Sequence, residues 1–365
     1  MTPRVAIVHD ALVNAGGAER VVTFLAEAFP DAPIFTSAYL PERTYPEFRQ
    51  RDVRVLPGAG AVRTEGDAKR RLPLWIWGFS RLNLSGFDAV LTSTTFAAKH
   101  VRPPSGVRHV SYCYAPFRLL WKPGVYAASS LPVGGLGQRL LDGARPWLRR
   151  FDRAAMQRPQ AVATTCQNMA REIRECYGRE ARVIYAPVRV SDYRIGQGDG
   201  DYFLSVSRLI SHKRVDLAVE ACARLGRKLI VVGDGPERAR LERLGGEAVT
   251  FAGLVDTEQL TALYAGCRAL LFCSEEDYGL TPIEAQASGR PVIAYGAGGA
   301  LETVVEGQSG IFFSAQTTDS LMEAMGRFER AVFDPARVRA TVERFDVGAF
   351  VAAMREFVTV DSASR

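Results

Sequence analysis

The chain predicts an α/β protein built on two parallel sheets, and three observations carry that prediction. From Val5 onward, short apolar runs of strand type alternate with stretches of helical period, the pattern of parallel strands joined by crossover helices. The alternation breaks at Ala186-Pro187-Val188 and the polar, glycine-rich run Ile195–Asp201, then resumes with the same rhythm, so this stretch is a linker and a loop. A length of 365 residues accommodates two domains of ordinary size.

In the first half, Val5–Val8 is the opening strand. Asn14–Arg20 is a glycine turn that starts a helix running to about Phe29. Ile34–Thr36, Val53–Leu56, Asp88–Thr92, His109–Tyr112 and Ala161–Thr165 are further strands. Gln138–Ala155 and Gln167–Tyr177 are helical by period, with Pro146 expected to kink or divide the first;. The second series has strands at Tyr202–Val206, Lys228–Val232, Val249–Phe251, Ala269–Cys273, Pro291–Tyr295 and Gly310–Phe313. Helices are expected at Val215–Arg224, Glu237–Leu244, Thr257–Ala265, 318–330 and 346–358. Two such sheets imply two similar domains facing a cleft, with ligands at the carboxyl ends of the strands.

Composition narrows the class. Hydrophobic content of 47% and charged content of 24% are those of a soluble globular protein;. No run of eighteen apolar residues predicts a membrane-spanning helix;. The apolar run Val5–Val8 is too short, and too quickly followed by His9-Asp10, for a signal peptide;. The six cysteines are scattered without C-x-x-C or metal-ligand spacing, which reads as small core residues in a reducing cytoplasm. Net charge is +6 but uneven: residues 1–190 hold 27 Lys/Arg against 15 Asp/Glu, and residues 191–365 hold 19 against 25. A basic half points to an anionic surface or substrate. No nucleic-acid recognition motif accompanies it, and anionic lipid fits better.

The most informative segment is Cys273–Ala285. It sets Glu276 and Glu284 with seven residues between them, around a turn ending in Gly279 and the start of a helix. An apolar strand, a glycine turn and a helix make an anion site, because the first N–H groups of a helix have no internal partner. A carboxylate on each side suits hydroxyl groups flanking a diphosphate, the layout of a nucleotide sugar. The segment resembles the E-x7-E signature of retaining glycosyltransferases of family 4, whose usual text is E-G-F-G-L-P-x-x-E. Here Asp277 stands for the first Gly, Tyr278 for the Phe, and Thr281-Pro282 around the usual Pro.

Other segments agree with that resemblance. Ser205–Asp216 is similar to the family's G-R-L-x-x-x-K-G-x-D, with Arg208 and Lys213 as its cations and Ser207 and Arg214 where the family has Gly. Val231–Glu237 resembles G-x-G-P-E, read as a tight turn with Pro236 at the first helical position. Phe251–Val255 matches F-x-G-x-V, and Gly296–Glu302 matches G-G-x-x-E, a turn packed near the donor sugar. In the first half, Gly16–Arg20 resembles GG-x-E-R, where glycine lets the backbone approach a ligand. Ser111–Trp121 resembles Y-C-H-T-P-x-R-Y-x-W of a subgroup of mannosyl- and similar transferases of bacterial surface polysaccharide, with Tyr114 and Ala115 in place of its His and Thr. Lys69–Arg81 interleaves cations with large aromatics. It reads either as a membrane-docking element or as an ordinary helix with aromatics in the core. Arg145, Arg149, Arg150 and Arg153 either extend a basic face or are simply solvated.

The resemblance implies a GT-B fold, two Rossmann-like domains facing a central cleft. The domains would be an acceptor-binding domain at 1–188 and a donor-binding domain at 189–345, with the last helix, 346–360, returning to the first. It implies a retaining hexosyl transfer without a metal or other cofactor. Glu276 would hold sugar hydroxyls, with Arg208 and Lys213 stabilising the departing diphosphate. Glu284 would hold the ribose, and the turn Tyr278, Gly279, Leu280 and Thr281 the phosphates. Gly16 and Gly17 would approach the donor, Val255 would lie at the base, and Tyr114 and Arg118 would lie on the acceptor side. GDP-mannose is the first choice of donor and a polyprenyl-diphosphate-linked saccharide the expected acceptor, at the cytoplasmic face of the membrane. A UDP-sugar-dependent transferase and a non-enzymatic sugar-nucleotide-binding assembly factor are the alternatives.

Overall fold

The computed structural model describes residues 3–57, 71–122 and 135–360. The chain divides into two compact units, Met1–Ala186 with Phe350–Arg365, and Pro187–Ala349.

In the first unit β1 (Val5–His9), β2 (Ile34–Thr36), β3 (Val53–Val55), β4 (Ala89–Thr94), β5 (Arg108–Cys113), β6 (Ala161–Thr164) and β7 (Arg182–Val183) form a sheet ordered β3-β2-β1-β4-β5-β6-β7. Every pairing is parallel. Helices α1 (Gly17–Ala28), α2 (Leu72–Ser80), α3 (Arg118–Trp121), α4 (Gly135–Met156) and α5 (Gln167–Tyr177) connect or flank the strands. In the second unit β8 (Phe203–Val206), β9 (Leu229–Val232), β10 (Val249–Gly253), β11 (Ala269–Phe272), β12 (Val292–Tyr295) and β13 (Gly310–Phe313) pair in parallel in the order β10-β9-β8-β11-β12-β13. Its helices are α6 (Val215–Leu225), α7 (Arg238–Gly245), α8 (Thr257–Gly266), α9 (Leu280–Ala287), α10 (Ala300–Thr303), α11 (Thr318–Phe328) and α12 (Pro335–Ala340). The last helix, α13 (Val347–Thr359), follows.

Both sheets grow one way from their first strand and then the other, reversing between β1 and β4 and between β8 and β11. Crossover connections keep every strand pointing the same way, so all carboxyl ends of a sheet share one edge. The central strands are buried throughout: β1, β4 and β11 expose no residue, as parallel strands covered on both faces require. The core of the second unit gathers Phe203, Leu217, Val219, Val231, Leu271, Ile293, Phe313 and Leu321.

Helix α2 settles half of the Lys69–Arg81 question. Trp75 and Phe79 are buried in the core of the first unit, while Leu74 and Trp77 on its other side are exposed. Arg81 lies over the Trp77 ring, 4.7 Å from its centroid. Lys69 and Arg70 lie outside the described residues. On α4, Arg149 and Arg153 are spent locally. Both sit over the Trp121 ring, and they donate to the carbonyls of Leu120 and Cys176, each at 2.8 Å. Arg145 pairs with Asp142 at 2.5 Å, and Arg150 is exposed.

Of the two effects expected of Pro146, division does not occur: α4 runs unbroken through it. Pro146 is exposed, where water can serve the carbonyl that its missing N–H leaves unbonded. Pro236 does not open α7, which begins two residues later with Glu237 as its cap. Strand β7 and helices α10 and α12, of two, four and six residues, are too short for periodicity to reveal.

Residues 350–360 pack on the first unit. Phe350 meets the Tyr112 ring edge-on at 5.9 Å, Arg355 donates to the Ala28 carbonyl at 2.9 Å, and Glu356 pairs with Arg182 at 3.1 Å. The six cysteines are free thiols. Five are buried, and desolvation lifts Cys113, Cys222 and Cys267 to about 12.

The first unit also buries a charged cluster. Lys99 pairs with Asp152 at 2.8 Å with essentially no exposure of either. Tyr177 accepts from Lys99 at 2.9 Å and donates to Asp152 at 2.8 Å, where the Trp121 indole also donates at 2.8 Å. These bonds compensate the cost of taking both charges out of water. His100 and His109 have no such compensation: burial lowers each from 6.5 to about 3. The unfolded chain therefore binds protons that the folded unit refuses between pH 6.5 and about 3, and stability falls as pH drops through that window. Going from pH 7 to 5 is expected to cost about 2 kcal/mol per histidine. All four tryptophans (75, 77, 121 and 147) belong to the first unit, so tryptophan fluorescence in denaturant titrations at the two pH values isolates it. Equal midpoints at pH 7 and 5 would contradict the assignment; His100→Gln should flatten the dependence.

Candidate functional site

The second unit carries the denser constellation. Loops leaving β8 and β11 stand at the point where strand order reverses, and they meet through one ion pair, Lys213 Nζ to Glu276 Oε1 at 2.6 Å. Ser274 donates to the same Oε1 at 3.0 Å. Both Lys213 and Glu276 are largely but not wholly covered, with side-chain exposures of 15% and 24%. Arg208, on the same β8 loop, is exposed and has no carboxylate partner among the described residues.

Gly279 caps α9 at φ +81, a left-handed conformation;. A Cβ there would lie 2.9 Å from the Phe272 ring. Leu280 and Thr281 follow as the first helical residues, and Pro282 supplies no N–H. The Leu280 and Thr281 N–H groups have no acceptor among the described residues, which leaves them for an anion. Glu284, one turn along, has its Oε2 held by the hydroxyl of buried Tyr264 at 2.7 Å. Tyr278 is buried, its ring edge-on to Phe345 at 6.2 Å. It therefore offers the open side of the turn its backbone rather than its ring. Val255, just beyond β10, is half-buried, and its neighbour Leu254 is 82% exposed.

Two glycine loops hold these segments from behind. A Cβ on Gly298 would lie 2.3 Å from the Glu276 carbonyl and one on Gly299 2.2 Å from the Tyr278 carbonyl, while Gly299 N–H donates to Glu276 O at 2.8 Å. The Gly233–Gly235 turn does the same for the Arg208 loop. A Cβ on Gly233 would lie 1.9 Å from Ser207 O and one on Gly235 2.3 Å from Leu209 O. Glycine is needed at these positions because backbone packs directly on backbone. Arg214 takes φ +51, the sole positive-φ non-glycine residue among those described, and its guanidinium reaches Asp216 at 3.3 Å. Left-handed backbone costs a non-glycine residue about 1 kcal/mol, and the contact to Asp216 partly offsets it.

In the first unit Gly16 caps α1, Gly17 begins it, and buried Glu19 folds back so that its Oε2 would lie 2.6 Å from a Cβ on Gly16. Tyr114 is tied to the same helix: its hydroxyl donates to Ala18 O at 3.1 Å. With that proton committed, Ser93 Oγ must be the donor in its 2.8 Å bond to Tyr114. His9 Nδ1 lies 3.0 Å from both Ser93 O and Ser93 Oγ, so it carries the ring proton. Desolvation pushes the Tyr114 phenol far above its ordinary value, which excludes it as a base near neutrality. Arg118 is half-buried at the start of α3.

Sequence reasoning passed over Asp10. Buried at the end of β1, it accepts from Thr94 Oγ1 and from the N–H groups of Thr95, Phe96, Ala97 and Ala98 at 2.5–3.1 Å, fixing the loop after β4 at that sheet's reversal. An acid at the carboxyl end of the first strand was its signal. Ser274 and Tyr264, which orient the two glutamates, gave no signal: their roles depend on contacts across the fold.

The Gly298–Gly299 loop generates a direct test. Gly299 has ordinary helical dihedrals, so Gly299→Ala acts through space alone. It is expected to cost about 1–3 kcal/mol and to displace the Glu276 turn, read as a lower melting temperature together with weaker nucleotide binding. Unchanged values for both would show that the loop yields freely.

Two family models match the chain: Glycosyltransferase Family 4 over residues 15–192 and Glycosyl transferases group 1 over residues 195–339. Glycogen synthase of Pseudomonas aeruginosa is 32% identical over 177 residues, 46% of this chain and 34% of that protein. The GDP-mannose-dependent alpha-(1-6)-phosphatidylinositol monomannoside mannosyltransferase of Mycolicibacterium smegmatis is 32% identical over 165 residues, 40% of this chain and 42% of that protein. The matched region thus spans less than half the length of either relative. The crystal structure of Anabaena Alr3699/HepE with UDP and glucose superposes with a TM-score of 0.71 at 18% identity, covering 97% of this chain and 99% of that one, and so shares the fold. The chain belongs to glycosyltransferase family 4 and has the two parallel Rossmann-like sheets of the GT-B architecture.

Proposed function

We propose that this protein transfers a hexose from a nucleotide diphosphate sugar to a lipid-linked saccharide, with retention of configuration. One observation carries the reading: the Lys213–Glu276 ion pair stands at the β8/β11 reversal beside the open N–H groups of Leu280 and Thr281. Cleaving a sugar–phosphate bond puts negative charge on the departing diphosphate. Lys213 would exchange Glu276 for that charge, Arg208 would join it, and the two N–H groups would hold phosphate oxygens. Released from Lys213, Glu276 would accept hydroxyls of the donor sugar. Glu284, oriented by Tyr264, would accept those of the ribose. Val255 would border the base, and Gly16 and Gly17 keep the donor-contacting role that the family resemblance implies. With no protein nucleophile placed, the departing phosphate would take the acceptor proton in a front-face reaction. Tyr114 would act by holding α1, with Arg118 beside the acceptor.

GDP-mannose is the preferred donor, supported by the mannosyltransferase-like segment Ser111–Trp121 and by the mannosyltransferase relative. UDP-glucose is the second reading, favoured by the Anabaena HepE crystal structure in complex with UDP and glucose. Donor hydrolysis and binding across GDP-mannose, UDP-glucose, UDP-N-acetylglucosamine and UDP-galactose decide between them. Lys213→Ala and Glu276→Ala are expected to lower turnover of the preferred donor by about 10²–10³-fold with melting temperatures near that of the parent. Near-parental rates in both would sink the transferase reading; no binding to any donor would favour an assembly factor that binds polysaccharide, or a donor outside the panel.

The acceptor implies a membrane. Trp147 and Phe151 on α4 are exposed at 66% and 36% and stack at 6.0 Å, beside exposed Arg150. With Leu74 and Trp77 of α2, they give the basic unit apolar groups suited to the lipid–water boundary. Peripheral docking on an anionic cytoplasmic leaflet follows. Trp147→Ala/Arg150→Ala should sediment several-fold less with phosphatidylglycerol vesicles, with hydrolysis of free donor unchanged; equal sedimentation would remove the membrane from the proposal.

A further inference from the structure

The first unit holds a second concentration of positive charge, at the opposite edge of its sheet from Asp10 and Tyr114. The connection from β4 to β5 (Arg102–Val107) and the turn before β6 (Arg158–Gln160) frame a basin of about 610 Å³. Both segments lead directly into the amino ends of their strands. The basin is therefore separate from the carboxyl-end loops of this sheet, and it belongs to a different unit from the Lys213–Glu276 site.

Its chemistry is unbalanced. Arg102 is exposed and has no hydrogen-bond or ion-pair partner among the described residues. Half-buried Arg158 makes one contact, Nη1 to the His100 carbonyl at 3.3 Å. No carboxylate among the described residues answers either guanidinium. Burial and then the field of Arg102 push Arg158 below its ordinary value, and Arg158 in turn adds to the lowering of His109. His109 lines the basin, is 3% exposed, and leaves its Nε2 without a partner. Gln160 has committed its carboxamide oxygen to the His109 N–H at 2.6 Å, so only its NH2 group remains to meet a ligand. Every polar side chain identified here is thus a cation, a donor or an unpaired imidazole. Two like charges beside a buried, unpaired ring are costly unless an anion offsets them.

We infer that this basin binds a phosphate-type anion, with Arg102 and Arg158 as its guanidinium clamp and the Gln160 amide as a further donor. Planar guanidinium forks match phosphate oxygens in bidentate fashion, and the volume suits a small phosphorylated molecule. A soluble phosphate compound and the phosphate headgroup of a lipid share this chemistry.

The test uses the full chain. Inorganic pyrophosphate is titrated calorimetrically into the parent, Arg102→Gln and Arg102→Gln/Arg158→Gln, each saturated with GDP so that any nucleotide site is filled. In parallel, phosphatidylcholine vesicles with and without phosphatidic acid are sedimented with the same proteins. A tenfold or greater loss of pyrophosphate affinity in the variants supports the site with a soluble ligand. A loss confined to phosphatidate vesicles supports it with a lipid one. Identical behaviour of parent and double variant in both arms, or no binding by the parent in either, overturns it. Arg102 is exposed and makes no hydrogen bond or ion pair among the described residues, so its replacement is expected to leave the structure intact. In phosphate-free buffer the double variant should melt no lower than the parent, because like-charge repulsion has been removed. GDP binding measured alone must survive in the variants; its loss would count against an independent site.

Discussion

The ion pair between Lys213 and Glu276 joins the loops that leave β8 and β11, and the rest of the second unit is arranged to hold those two loops in reach. The reversal of strand order is what makes the pairing possible. β8 and β11 are neighbours in the sheet although β9 and β10 intervene in sequence, so the loops that follow them stand side by side at the reversal, where sheets of this kind open a crevice. Neither charge is fully buried, so the pair keeps contact with water, as the proposed exchange for a ligand requires. A sealed pair would hold its partners too tightly for that.

Glycine enters this arrangement in a way that differs from the usual expectation of close approach to a ligand. The observed close approaches are of backbone to backbone. Gly298 and Gly299 sit on the turn that carries Glu276, and Gly233 and Gly235 on the loop that carries Arg208. A site built on loops needs rigid backing if its charges are to be positioned before the substrate arrives, and bare backbone surfaces supply it without rotamer freedom. Where the chain departs from its family by placing Arg214 at a glycine position, the left-handed conformation is kept and a contact to Asp216 accompanies it.

The first unit solves the same problem with buried polar groups. Asp10 gathers the N–H groups of the loop after β4, and the chain His9–Ser93–Tyr114–Ala18 ties β1, β4 and the segment after β5 to the first turn of α1. Lys99, Asp152 and Tyr177 anchor the stretch around Phe117 and Trp121. The tyrosine that stands where the subgroup has histidine is thereby a fixed support whose proton is already committed.

Periodicity and apolar runs determined the strands and the longer helices, because parallel strands buried on both faces must be apolar and amphipathic helices must repeat. The Glu276–Glu284 spacing and the Arg208–Lys213 pair were legible for a related reason: the turn and the helix start that carry them are local, and local geometry is written in local residue types. What only the tertiary structure decided are relations between distant segments. Lys213 is neutralised by Glu276, Tyr264 orients Glu284, Tyr278 turns its ring inward, and Arg102 and Arg158 line one basin without a carboxylate among the described residues. Helix α2 shows the boundary between the two. Its sequence announced aromatics and cations, but which ring entered the core and which faced water depended on the sheet beneath it. Such contacts arise from strand order and packing between residues far apart in the chain, and a linear pattern carries no record of which distant residue will complete them.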